Sequence, residues 1–130
     1  MIKIYSDAAV NGNPGPAGAG CLIIINGQQH QFSHSLPATD NHHAEFIAAS
    51  WAFEQLAQFK PNDQIIFFYT DSRLVSDAIG KGYAKKYAAE LSQLLELIDQ
   101  YPTVVTEWIP EKLNHGAHQL ALQALHQSHT

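Results

Sequence analysis

Apolar and polar positions alternate from the start of the chain. Ile2 and Ile4 point to one face of a short extended run and Tyr5 to the other, the pattern of a strand. That strand ends in an acid, Asp7, and a loop of small residues follows, with Gly12, Gly15, Gly18 and Gly20 beside Pro14 and Pro16. Gly20–Ile25 reads as a second strand. Asn26-Gly27 is a strong hairpin signal, and Gln28–Leu36 returns as a third strand with one wet face, closed by Pro37. Ala38–Asn41 is a loop in which Asp40 or Asn41 can cap a helix. Ala44, Ile47, Ala48, Trp51 and Ala52 then follow the spacing of a buried helical stripe, with Glu45 beside it in the first turn. Lys60-Pro61-Asn62-Asp63 stops that helix.

Ile65–Asp71 is a continuous apolar run, the signature of a strand buried on both faces, and it too ends in an acid. Ser72 can cap a short helix over Arg73–Ile79, broken by Gly80-Lys81-Gly82. A longer helix is predicted from Ala84 to Gln100, a fifth strand over Val104–Ile109, and a loop over Pro110–Asn114. The last helix buries Ala117, Leu120, Ala121, Ala124 and Leu125, with His118 next to that stripe. Trp51 and Trp108 are expected in the core. The order β-β-β-α-β-α-α-β-α implies an α/β fold: a five-stranded mixed sheet, three antiparallel strands then parallel additions, flanked by helices. Residues 1–130 are expected to form a single domain.

Composition narrows the class. The formal charge is −5 with eight histidines counted neutral, which argues against broad, charge-driven binding to nucleic acid. No apolar run is long enough to span a membrane, and Met1 leads directly into a strand, so neither a membrane anchor nor a leader is expected. Cys21 is the one cysteine; it is read as a buried strand residue, compatible with a reducing cytoplasm. His126 and His129 near the tail read as solvated.

Asp7 and Asp71 at the ends of two central strands would emerge at the same sheet edge if those strands are parallel neighbours. With Glu45 they make a three-acid cluster. Three carboxylates held together repel one another unless a cation shares them, and hard oxygen ligands suit Mg²⁺ or Mn²⁺. The chemistry suggested is metal-assisted phosphodiester hydrolysis. A zinc site from His42, His43, His115 and His118 is disfavoured by spacing and by the lack of accompanying cysteines.

Several motifs in order carry a resemblance. Tyr5-Ser6-Asp7 with its glycine loop, Asn41-His42-His43-Ala44-Glu45, Tyr69-Thr70-Asp71-Ser72, and Trp108-Ile109-Pro110 followed by Asn114-His115-Gly116-Ala117-His118 together resemble the ribonuclease H type I family. The resemblance runs through nearly the whole chain. It implies endonucleolytic cleavage of the RNA strand of an RNA–DNA hybrid by two divalent ions, leaving a 5′-phosphate. It implies that Asp7 bridges the ions, that Glu45 and Asp71 hold the one at the leaving oxygen, and that His118 helps hold the one that activates water. Asn13, Asn41 and His42 match positions that touch the minor groove of the hybrid, where the 2′-hydroxyl marks RNA. Ser72 matches a contact near the phosphate. No protein partner is implied, and a cytoplasmic monomer is expected.

The departures are as informative. His118 stands where the family usually has a fourth acid, and Asp40 where a small hydroxyl residue is common. Gly80–Tyr87 carries Lys81, Lys85 and Lys86 but not the long basic protrusion of some members. A weakly active or inactive nucleic-acid-binding relative is the alternative reading, and a nuclease acting on branched DNA is a third.

Overall fold

The computed structural model describes residues 1–61 and 65–127. Its strands are β1 (Ile2–Val10), β2 (Gly15–Ile25), β3 (Gln28–Thr39), β4 (Ile65–Thr70) and β5 (Thr103–Trp108). Its helices are α1 (Asn41–Ala57), α2 (Arg73–Lys81), α3 (Ala88–Ile98) and α4 (His115–Gln127), the last preceded by a 3₁₀ turn over Glu111–Leu113. The sheet order is β3-β2-β1-β4-β5. β1 to β3 pair antiparallel, while β4 joins β1 and β5 joins β4 in parallel, so the expected mixed sheet is present.

Strand alternation sorts the sheet into two faces. Ile2, Ile4, Cys21, Ile23, Ile66 and Phe68 form one, packed on Phe46, Ala49, Phe53 and Leu56 of α1 and on Leu91 and Leu94 of α3. Each fully buried Phe or Leu there contributes roughly 1.5–3 kcal/mol. α4 covers the opposite face, where Ala9 meets Ala121 and Leu125. No helix among the described residues is long and apolar enough to cross a membrane.

Several sequence expectations need correction. β1 does not end at Asp7 but runs on to Val10, and the turn after it is confined to residues 11–14. Gly15, Gly18 and Gly20 belong to β2. Gly18 and Gly20 serve packing rather than ligand access: a Cβ on Gly18 would lie 2.6 Å from the Ala121 carbonyl oxygen and from the Leu125 nitrogen, so α4 can approach β2 only where side chains are missing. β3 continues through Pro37 to Thr39, as an edge strand allows, which leaves no loop before α1. α3 starts at Ala88; Ala84 and Tyr87 are buried by the connection before it. α1 is buried more widely than one stripe, since Phe46, Ala49 and Phe53 are also buried. Glu45 is its fifth residue and lies outside the first turn, which holds no acid. Trp51 is half-buried, and Trp108 is 36% exposed rather than in the core, because it closes an edge strand at the rim of the sheet. Asn62 and Asp63, expected to help end the first helix, and His129 lie outside the described residues.

Candidate active site

The site grows from a mismatch in strand length. β1 pairs with β2 as far as Val10, but with β4 only as far as Ser6, opposite Thr70. From Asp7 onward β1 has no neighbour on that side, and Asp71 is the residue at which the chain leaves β4. The two acids are therefore side by side at the carboxyl end of a parallel pair, although only Asp71 follows a strand end. Glu45 reaches the same notch from the start of α1. Ligand oxygens of Asp7, Glu45 and Asp71 all lie within 4.8 Å of one another.

This arrangement is costly for bare carboxylates. Burial, followed by the charge of Asp71, pushes the Asp7 carboxyl up to about 6, against the opposing pull of its contact with His118. Burial, then Asp7 and Asp71, raises Glu45 well above the usual carboxylate range. Asp71 is also raised, by burial first, while a hydrogen bond from Asn114 opposes the shift. Glu45 Oε2 is buried without a hydrogen-bond partner. An orphaned carboxylate oxygen among three hard oxygen donors is the environment a divalent cation satisfies, so these residues fit one.

His118 projects from the first turn of α4, and its Nδ1 lies 2.8 Å from Asp7 Oδ2. When Asp7 is ionised it can only accept, so Nδ1 carries a proton, and in the neutral imidazole Nε2 is left as the free ring acceptor. The imidazole thus stands one hydrogen bond outside the three-acid group.

Asn114 is a site residue for which the sequence suggested no role. In the sequence it only closes the Pro110–Asn114 loop. Here its buried side chain points inward: Nδ2 donates to the Ser6 carbonyl at 2.9 Å and to Asp71 Oδ2 at 3.1 Å. It ties β1, α4 and the Asp71 carboxylate together.

The four residues read as substrate contacts flank the acids on two sides. Asn13, in the β1–β2 turn, accepts a hydrogen bond from the Asn41 backbone nitrogen at 3.1 Å, and Asn41 and His42 are exposed at the start of α1. Ser72 lies beyond β4, on the other side, where its hydroxyl accepts from Val75 N at 3.2 Å and caps α2. Asp40 caps α1: its Oδ1 accepts from His43 N at 2.7 Å and from the Tyr87 hydroxyl at 3.2 Å. His43 in turn contacts Thr39 Oγ1 at 2.6 Å and Glu90 at 3.2 Å, bracing the start of α1 against α3. On the β5 side, Trp108 Nε1 donates to the Asp71 carbonyl at 2.9 Å, and the Arg73 guanidinium lies 3.8 Å from the centre of the indole. This pair, whose members are 35 positions apart, has no signature in the local pattern of the chain.

The RNase H family profile matches residues 1–125. The EbsB protein of Enterococcus faecalis is 36% identical over 127 residues, covering 96% of this chain and 94% of that protein. A ribonuclease H of Trichodesmium erythraeum is 38% identical over 88 residues, 68% of this chain; the match spans about half of that relative, 54% of its length. Among solved structures, RNase H1 of Halobacterium salinarum superposes with a TM-score of 0.89 at 26% identity, covering 97% of this chain and 98% of that one. LC11-RNase H1, solved in complex with an RNA/DNA hybrid, gives 0.91 at 28% identity, with all of both chains covered.

Proposed function

This chain belongs to the RNase H family, and from that premise we propose that it cleaves the RNA strand of RNA–DNA hybrids with divalent cations held by Asp7, Glu45 and Asp71. The observation that carries this reading is the convergence of three carboxylates within 4.8 Å, with Glu45 Oε2 buried and unpartnered. In this reading two ions, Mg²⁺ or Mn²⁺, supply the positive charge that stabilises the attacking and leaving oxygens of a phosphodiester. Asp7 would be shared between them, and Glu45 and Asp71 would hold the one at the leaving oxygen. His118 orients Asp7 through Nδ1 and offers Nε2 to the other. Asn114 holds one oxygen of Asp71 and so fixes which oxygen is left to bind. Asn13, Asn41 and His42 contact the minor groove and read the 2′-hydroxyl. Ser72 lies near the phosphate, and its engaged hydroxyl favours a role in shaping the loop.

Residues 1–130 act as one domain in this reading, supported by a single sheet that runs from Ile2 to Trp108 with helices on both faces. The buried, unpaired Cys21 suits a reducing, cytoplasmic setting. The second reading, a hybrid-binding relative with little activity, draws on His118, which brings no negative charge to a position beside Asp7.

The test incubates the full chain with labelled RNA–DNA hybrid, duplex DNA and duplex RNA, with Mg²⁺ or Mn²⁺. Cutting of the RNA in the hybrid alone, leaving 5′-phosphate ends and lost in Asp7→Asn, is expected. No cutting with either ion, or cutting that survives Asp7→Asn, refutes the nuclease reading. Hybrid binding without cutting selects the second one.

A further inference from the structure

Arg73 is the only arginine of a chain with a net charge of −5. It is exposed, and among the described residues it forms no ion pair with a carboxylate. Its guanidinium lies over Trp108, and Trp108 is itself held by the hydrogen bond from Nε1 to the Asp71 carbonyl. The cation is therefore fixed, through one indole, to the backbone of an acid in the cluster. Stacking uses one face of the guanidinium and leaves its edge donors free.

Two further points indicate what those donors face. Three converging carboxylates repel a polyanion on either side of the cations they hold, so a backbone crossing them gains most from a positive charge just beyond the cluster. The strand order sets the direction: Asn13, Asn41 and His42 lie on the β2 side of β1, while Arg73 and Trp108 lie on the β5 side. A duplex lying across the acids meets the first group on one flank and Arg73 on the other.

We propose that Arg73, held flat against Trp108, grips a backbone phosphate of the hybrid on the β5 side of the acids. The identity of the ligand rests on the nuclease reading; the phosphate contact itself does not depend on cutting. It gives an acidic chain a fixed anion contact at the site in place of a broad basic surface.

The experiment measures binding of a short labelled RNA–DNA hybrid by fluorescence anisotropy across a salt series, using the full chain with Asp7→Asn so that nothing is cut. Adding Arg73→Gln is expected to weaken binding roughly tenfold, the worth of a charge-assisted contact, and to lower the slope of log Kd against log salt by about one. Arg73→Lys keeps the charge but loses the planar stack, so it should retain the slope with only part of the affinity. Lys60→Gln removes the same charge beyond the far end of α1, a 17-residue helix about 25 Å long, and should change neither. A merely structural stack would leave the salt slope unmoved. An unchanged slope in Arg73→Gln, an equal effect of Lys60→Gln, or no hybrid binding by the Asp7→Asn parent overturns the proposal. Arg73-dependent binding by a chain whose wild type cuts no hybrid upholds it and refutes the nuclease reading alone.

Discussion

Replacing Asp7 by Asn should stabilise the metal-free protein near pH 7.5, even though it removes the central acid of the site. Burial and the neighbouring acid raise the Asp7 carboxyl from 3.8 to about 6, a difference of about two pH units. Each unit is worth about 1.4 kcal/mol, so ionising Asp7 in the folded chain costs about 3 kcal/mol more than in the unfolded chain. The sign follows from proton counts. Between about pH 4 and pH 6 the folded chain holds more proton on Asp7 than the unfolded chain does. The contribution of this group to stability is thus fully present below 3.8, falls as pH rises, and is lost above about 6. Asn never ionises and keeps that contribution. It loses part of the contact with His118, about 1 kcal/mol, which leaves a net gain of about 2 kcal/mol. For a chain of this length that is a rise of roughly 6–10 °C in melting temperature. Thermal melts followed by circular dichroism in a chelator, at pH 7.5 and at pH 4, measure it. The gain should appear at pH 7.5 and shrink toward zero at pH 4, and adding Mg²⁺ or Mn²⁺ should stabilise the wild type more than the variant. A loss of stability at pH 7.5, or an equal gain at both pH values, refutes the claim that burial of the Asp7 charge, reinforced by the neighbouring acid, governs this notch.

Other perturbations test other parts of the structure. Gly18→Ala should cost about 3 kcal/mol or more in urea unfolding, because its Cβ would meet the α4 backbone at 2.6 Å; an unchanged midpoint would mean that the helix is free to move away. Asn114→Ala should destabilise by about 2–4 kcal/mol, since it strands the Ser6 carbonyl and Asp71 Oδ2 and opens a cavity; a near-neutral urea midpoint would show that the amide bridge is dispensable. His118→Asp should raise Mg²⁺-supported cutting relative to Mn²⁺, since a carboxylate suits the harder ion, and should lower the melting temperature in a chelator by setting a further carboxylate beside Asp7. Parallel rate measurements with the two ions would count against a metal role for His118 if the preference stayed as in the wild type.

What the sequence revealed and what it concealed divide along a physical line. The two aspartates were legible because each follows a short apolar run, and parallel pairing of those runs brings both to one edge. The supposed strand end at Asp7 was in fact the end of β4 pairing, a property of two strands that no single stretch of chain encodes. Asn114 read as the last residue of a loop because its bond to the Ser6 carbonyl spans 108 positions. Trp108 read as core because local pattern does not identify a rim. The glycines are the instructive case. Small residues in a row suggest a loop, where freedom of φ is the asset, and Gly12, with φ of 104°, uses it. Yet Ala17-Gly18-Ala19-Gly20-Cys21 already alternates with period two: Ala17, Ala19 and Cys21 fall on the face buried against α1, and Gly18 and Gly20 on the other. Two glycines two positions apart on one face of a strand mark a surface that another backbone must approach. That backbone is α4, whose first turn carries His118 to Asp7, so the glycines of β2 act on the site by setting how closely the helix can lie.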